Sequence, residues 1–346
     1  MKKIVLLYPD SQRELKLYED LKNLDYVKLI GIRRKAGFSG RLVHHPVSVL
    51  SRMKKLTRQY LGRIKRLIIN STHIDNFKFL KLPNYCADAR ILLVMDWALN
   101  DMDNLKILEK CRSKNRQLKI YLYLINQIGG DDAINRKDVQ RFRFMMNQFH
   151  WDEIYSFDKA DCKQFGFQYM GFNYYSMRKM VLNSNPLNDL FFTACYSKLR
   201  EDMICDVYNF ASKSGIICDF YIKLWKEGYD KMIDGIHYMT DGVEMMSYHD
   251  CLKKALDSKC ILEIIRPGQF TPTLRYMEAV CYNKKFLTNN PQIVEYPYYN
   301  PNYMHIFDKV EDIDVEWLKD ESNVDYHYQG DFSPIHLVNY LLENDK

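Results

Sequence analysis

The sequence predicts an α/β protein of two similar-sized domains, each a parallel sheet covered on both faces by helices. Its 346 residues are more than one domain usually holds. Hydrophobic residues make up 47%, enough for two cores, while 14 glycines and 10 prolines are too few for a low-complexity chain. Short apolar runs alternate with stretches of helical spacing, the pattern of parallel sheets.

In the first half, strands are expected at Lys3 to Leu7, Val27 to Ile32, Ile91 to Met95, Ile120 to Ile125 and Glu153 to Phe157. Helical patterns such as Met102 to Ser113 and Arg136 to Gln148 lie between them. After Phe157 the pattern loosens into an aromatic, glycine-bearing stretch, Gly166 to Tyr175, which places a linker near residues 170 to 187. A second alternation follows. Its strands are Leu190 to Ala194, Cys218 to Ile222, Cys260 to Ile265, Lys285 to Thr288 and Tyr303 to Phe307. Its helices are Arg200 to Lys213, Tyr248 to Asp257 and Pro272 to Asn283. Pro334 to Glu343 is a closing helix able to pack across the junction. The expected domains are therefore 1–175 and 185–330, with 331–346 as the final helix. Both are Rossmann-like, and no internal repeat is visible.

Several classes are disfavoured. Nine cysteines, irregularly spaced and without a Cys-x-x-Cys pair, give no disulfide framework or structural zinc site, and are read as reduced core residues. The apolar start of MKKIVLLYPD ends at Tyr8-Pro9-Asp10, too soon for a signal peptide, and suits a first buried strand. No run approaches the roughly 18 apolar residues of a membrane span. Glycine-rich dinucleotide, P-loop, nucleophile-elbow and zinc-protease motifs are missing. Asp101-Met102-Asp103 has the letters of a metal-binding Asp-x-Asp, but it sits at a helix start and is read as capping.

The net charge is +6 and unevenly spread. Between Gly31 and Asn70 there are eleven Lys or Arg residues and no Asp or Glu. Within residues 46–70 the apolar positions Val49, Leu50, Met53, Leu56, Tyr60, Leu61, Ile64, Leu67 and Ile68 follow one helical stripe. Such a basic amphipathic helix can rest on an anionic membrane surface, or simply bury its stripe in its own domain. Nucleic acid is disfavoured, since no recognition motif accompanies the charge and the 26 tyrosines are dispersed.

The stretch with the most chemistry is CILEIIRPGQFTPTLRYMEAVCYNKKFLTNN, Cys260 to Asn290. A buried strand leads through Arg266-Pro267-Gly268-Gln269-Phe270 to a helix. Thr271 is expected to cap that helix, with Pro272 at its first position. Ligands of open α/β sheets bind beyond the carboxyl ends of the strands, and helix N-termini attract phosphate. Thr271, Arg275, Glu278 and Tyr282 share one helix face, suited to a nucleotide-sugar: amides around Thr271 to Leu274 for the diphosphate, Arg275 for its charge, Glu278 for ribose hydroxyls. The competing reading makes Arg275 and Glu278 a surface ion pair.

This stretch resembles GT-B glycosyltransferases of bacterial capsule, exopolysaccharide and O-antigen gene clusters. The resemblance lies in Ile261 to Ile264, Gln269, Thr273-Leu274-Arg275-Tyr276-Met277-Glu278-Ala279 and Lys284-Lys285-Phe286-Leu287-Thr288-Asn289-Asn290. It extends to Ser156 to Asp161, Tyr299-Asn300 and Asn302, patchily over the last two-thirds of the chain. Phe270 and Pro272 depart from it, standing where the family has a small residue. Lys198 and Arg200 match a basic family segment, without its glycine.

The resemblance implies a GT-B architecture with an interdomain cleft. It implies transfer of a sugar, without a bound metal or other cofactor, from a nucleotide-sugar (UDP being the commonest nucleotide) to a hydroxyl of a lipid-linked glycan. It places the enzyme in the cytoplasm, at the inner face of the membrane, with residues 46–70 as peripheral contact. Gln269, Thr271, Thr273, Arg275, Glu278, Lys198, Arg200 and Asn289 are the donor-binding candidates. An inverting mechanism needs a general base from the first domain. Asp96 and Asp10, each ending a strand, are the candidates; Asn126-Gln127, His44 and His45 are also nearby in that domain's sequence. Rival readings are a sugar epimerase or other GT-B-like enzyme, and a non-catalytic scaffold of a membrane glycan-assembly complex.

Overall fold

A computed structural model describes residues 3–9, 17–32, 80–96, 102–129, 137–171, 175, 186–224, 232–240 and 246–344. Asp10, His44, His45, Asp101 and the basic stretch 46–70 lie outside the described residues.

In chain order the first elements are β1 (Ile4–Pro9), β2 (Val27–Ile32), α1 (Leu82–Tyr85), β3 (Ile91–Met95), α2 (Met102–Lys114), β4 (Lys119–Leu124), α3 (Lys137–Asn147), β5 (Glu153–Ser156), α4 (Lys159–Phe165) and β6 (Gln168–Tyr169). There follow β7 (Asn188–Cys195), α5 (Glu201–Lys213), β8 (Cys218–Lys223), β9 (His237–Met239), α6 (Tyr248–Leu256) and β10 (Ser258–Glu263). The last are α7 (Leu274–Cys281), β11 (Lys285–Thr288), β12 (Met304–Ile306), α8 (Val315–Lys319) and α9 (Pro334–Asn344). Two six-stranded sheets result, ordered β2-β1-β3-β4-β5-β6 and β12-β11-β10-β7-β8-β9. The two-sheet α/β class expected from the sequence is present.

The chain packs as two compact units. One is Met1–Leu15, Leu21–Asn126 and Gln140–Tyr155; the other is Lys16–Asp20, Gln127–Val139 and Ser156–Lys346. In the first, β1 pairs in parallel with both β2 and β3, and β3 with β4. All five side chains of β3 are fully buried, each contributing about 1.5–3 kcal/mol by leaving water. A strand apolar at every position, rather than at alternate ones, is what a sheet covered on both faces demands.

In the second unit β7 is central, parallel to β8 on one side and β10 on the other, and β10 continues to β11. Leu190, Phe192, Phe220, Leu262 and Leu287 of these strands meet Ile204 and Val207 of α5 in one core. The buried positions of α5 recur at three- and four-residue intervals, Ile204, Val207 and Ala211, and set the face it turns to the sheet. Asp158 caps α4 by accepting from the Asp161 N–H at 2.8 Å, and Gly166 ends it in the left-handed conformation.

Lys284 ends the turn before β11 and is buried. Its Nζ donates to the carbonyls of Leu256 at 2.5 Å and Ser258 at 2.8 Å, capping the C-terminus of α6. Burial pulls this lysine down from 10.5 to about 8. Between those values the unfolded chain binds more protons than the folded one, so this residue's contribution to stability rises with pH across that window. The urea midpoint of the parent, relative to Lys284→Met, should therefore increase from pH 7.5 to pH 9.5. A difference that stays flat would show that Lys284 does not titrate there.

Candidate functional site

In open α/β sheets, ligands bind beyond the carboxyl ends of the strands where the strand order reverses. In the second sheet that reversal lies between β7 and β10. Arg200 spans it. A single 3-10 turn, Lys198–Arg200, follows β7 and leads into α5. The Arg200 guanidinium donates to the Cys195 carbonyl at the end of β7 at 2.5 Å, and to the Ile264 carbonyl just beyond β10 at 3.0 Å. One cation thus joins the two strand ends that flank the reversal. Beside it, Lys198 leaves its side chain 60% exposed and meets the buried Glu201 at 2.8 Å.

The loop from β10 to α7 is fastened along its length. Pro267 and Gly268 form a bend closed by the Gln269 N–H donating to the Arg266 carbonyl at 3.0 Å. Gly268 has φ +77°, the left-handed conformation that a type II turn requires at this position. The Gln269 side-chain amide donates to the Thr271 carbonyl at 3.1 Å. Asn289 accepts from the Ile265 N–H at 2.7 Å, and the Asn290 amide donates to the Phe270 carbonyl at 2.8 Å. Thr271, only 2% exposed, donates its hydroxyl to Asp158.

The last contact corrects the expected helix start. Thr271 does not cap α7, because the helix begins only at Leu274; the Thr271 hydroxyl donates to Asp158 instead. Pro272 lies ahead of the helix, and Thr273 is the cap, accepting from the Arg275 N–H at 3.3 Å. The Thr273 N–H, expected to be open to a diphosphate, instead donates to the Glu263 carboxylate at 2.6 Å. Thr271 and Tyr282 therefore fall outside α7, before its cap and at its C-cap.

The shared face of Arg275 and Glu278 is also turned otherwise than expected. Arg275 Nη1 lies 2.5 Å from Glu278 Oε2, but the pair is interior, with side-chain exposures of 12% and 0%. The contact is one of charge, since Oε2 is off the direction of an aligned hydrogen bond. Tyr248 of α6 donates to Glu278 Oε1 at 2.9 Å, and its hydroxyl lies 3.2 Å from that of Tyr175. Cys251, one turn along α6, accepts from Arg275 at 3.8 Å. The pair thus sits where α7 meets α6. Burial pushes the Glu278 carboxyl up, with the Arg275 charge opposing it. Burial likewise raises Glu263, against the hydrogen bonds of Thr273 and Thr288.

In the first sheet the order reverses between β1 and β3, and Asp96 directly follows β3. It is 2% exposed. Its Oδ2 accepts from the Ile125 N–H at 3.1 Å and the Asn126 amide at 2.8 Å, so the carboxylate shapes the turn after β4.

All nine cysteines are free thiols. Among the described residues no group of His, Cys, Asp or Glu is clustered to hold a metal, and no helix is long and apolar enough to cross a membrane. Glu263, Asp158 and Tyr248 organise this region although no site motif in the sequence marks them. The available signal is a carboxylate inside the otherwise apolar run Cys260 to Ile265, and an Asp three residues before another Asp at the start of α4.

No family model matches the chain, and no curated protein does. Among solved structures it is similar to the apo form of the lipopolysaccharide outer core galactosyltransferase WaaB (TM-score 0.48, 11% identity, 99% of each chain covered). It is also similar to an alpha-glucosyltransferase in complex with UDP-glucose and DNA containing an abasic site (TM-score 0.46, 10% identity, 83% of this chain and 79% of that one). A third likeness is to the Glycosylation Associate Protein (Gap123) complex from Streptococcus agalactiae (TM-score 0.40, 9% identity, 79% of this chain and 56% of that one).

Proposed function

We propose that this chain is a glycosyltransferase that moves a sugar from a nucleoside-diphosphate sugar to a hydroxyl, with the donor on the second unit. The observation that carries this reading is Arg200 across the β7–β10 reversal. It supplies a fixed positive charge where a ligand of such a sheet sits, with Lys198 on the same turn. Departure of the nucleotide loads negative charge onto the diphosphate, and preorganised cations there stabilise the transition state without reorganising. Gln269, Thr271, Thr273 and Asn289 shape the loop that faces the ligand. Arg275, fixed by Glu278, stands behind that loop as a further cation. Asp96 and Asp10 are the general-base candidates for an inverting reaction.

The finer reading takes the acceptor to be a lipid-linked glycan of surface-polysaccharide synthesis, met in the cytoplasm at the inner membrane face. Residues 46–70 would supply the contact with anionic lipid. The family resemblance and the acid-free basic stretch support it. Reversing the charges of Arg63, Lys65 and Arg66 should then release the protein from anionic vesicles without unfolding it.

The first test is thermal stabilisation by UDP, GDP, CMP, dTDP and ADP. A nucleotide at a hundred times its Kd should raise the melting temperature by roughly 5–10 °C. One responding nucleotide names the donor class. No response to any of the five, in a well-folded sample, would overturn the transferase reading in favour of a scaffold.

A further inference from the structure

Glu263 is the last residue of β10, 1% exposed, on one of the two strands that flank the sheet reversal. Its two carboxylate oxygens take different partners. Oε1 accepts from the Thr273 N–H at 2.6 Å, where α7 begins. Oε2 accepts from the Thr288 hydroxyl at 2.8 Å, where β11 ends. Thr288 Oγ1 in turn accepts from the Asn290 N–H at 3.1 Å, and Asn290 reaches back to the Phe270 carbonyl at 2.8 Å. A closed circuit runs from the end of β10 through β11 and its turn back into the loop that left β10. Both far ends of that circuit rest on one carboxylate.

An apolar residue would suit the burial of this position, and every other residue from Cys260 to Ile265 is apolar. A buried carboxylate is costly unless its oxygens are satisfied, and here both are. What the circuit fixes is the loop at 264–273, whose Pro267, Gly268 and Phe270 are exposed.

We propose that Glu263 is the positioning residue of the donor site: it fixes the β10–α7 loop in its ligand-binding shape by holding Thr273 and Thr288 at once. This rests on the donor reading above only for the identity of the ligand. Glu263 itself touches no ligand.

Three variants test it. Glu263→Ala removes both acceptors. Glu263→Gln keeps a carbonyl for the Thr273 N–H and turns the other atom into a donor, which the Thr288 oxygen can accept. Leu318→Ala weakens the same core from α8, which meets Lys285 at the opposite end of β11 from Thr288, through the Trp317 carbonyl at 2.6 Å. Amide hydrogen exchange is read without ligand, and affinity for the responding nucleotide is read by titration. Glu263→Ala should speed exchange selectively over 269–275 and 288–290 and weaken the nucleotide about tenfold or more, as ångström-scale misplacement does. Glu263→Gln should stay within about threefold of the parent, and Leu318→Ala should lose stability while binding normally.

Parent-like exchange over 269–275 in Glu263→Ala would overturn the proposal, as would equal loss of affinity in Leu318→Ala. If the parent binds none of the nucleotides, the donor reading fails by itself. The ligand-free exchange pattern still decides whether Glu263 holds the loop.

Discussion

Glu278→Ala should lose about 3–5 kcal/mol of stability, a large part of the roughly 5–15 kcal/mol that a folded protein has. The loss does not equal the worth of the ion pair. It is mainly the cost of leaving the Arg275 guanidinium, with its side chain only 12% exposed, without its carboxylate between α6 and α7. The Tyr248 hydroxyl loses the carboxylate in the same variant and is left with the Tyr175 hydroxyl as acceptor. Removing both charges should be far milder. Arg275→Met combined with Glu278→Leu should recover most of the loss, because apolar groups of similar volume fill such a site without a desolvation penalty. Urea unfolding of the parent, Arg275→Met, Glu278→Leu and the double variant gives the coupling directly. Two single variants that each cost under about 1 kcal/mol and add in the double would mean that the pair behaves as a solvated surface bridge.

Arg200→Ala should lower kcat/KM for sugar transfer by about 100- to 1000-fold, the range seen when one preorganised donor to developing negative charge is removed. Two effects combine. The positive charge leaves the β7–β10 reversal, and the carbonyls of Cys195 and Ile264 lose their common donor. Arg200→Lys restores the charge but not the fork, so it should fall between the two. The assay uses the donor named by the nucleotide panel, with melting temperature measured in parallel. A folded Arg200→Ala protein within about threefold of the parent would remove Arg200 from the reaction.

Short strands set between polar breaks are the most legible. Val27–Ile32, Ile91–Met95 and Lys285–Thr288 have the expected bounds; Ile91–Met95 is apolar and buried at every position, while the other two carry enough β-branched and aromatic residues within a short span to read as strands. The two-residue β6 and three-residue β9 carry too few residues to show any period. Helix α4 went unforeseen although Asp158 and Gly166 bracket it with ordinary cap chemistry.

The start of α7 was misplaced because Thr271-Pro272 is as good a local cap as Thr273. The Thr271 hydroxyl is turned to Asp158, 113 residues earlier in the chain, and the Thr273 N–H to Glu263, contacts that no local pattern contains. The same limit applies to Arg275 and Glu278. A pair three residues apart has one sequence pattern whether it faces water or a neighbouring helix. Only Tyr248 and Cys251, brought up by α6, decide which.

The position of β7 at the centre of its sheet has a consequence for synthesis on the ribosome. Its partner on one side, β8, begins at Cys218; on the other side, Asn188 pairs with Ser258, 70 residues later. At about 5–20 residues per second, the second edge of β7 stays unpartnered for roughly 4–14 seconds after it emerges. An open edge carrying Leu190, Phe191 and Phe192 is a template for pairing with other chains. The nascent second unit should therefore need a chaperone until β10 arrives, and refolding from denaturant should yield less as protein concentration rises.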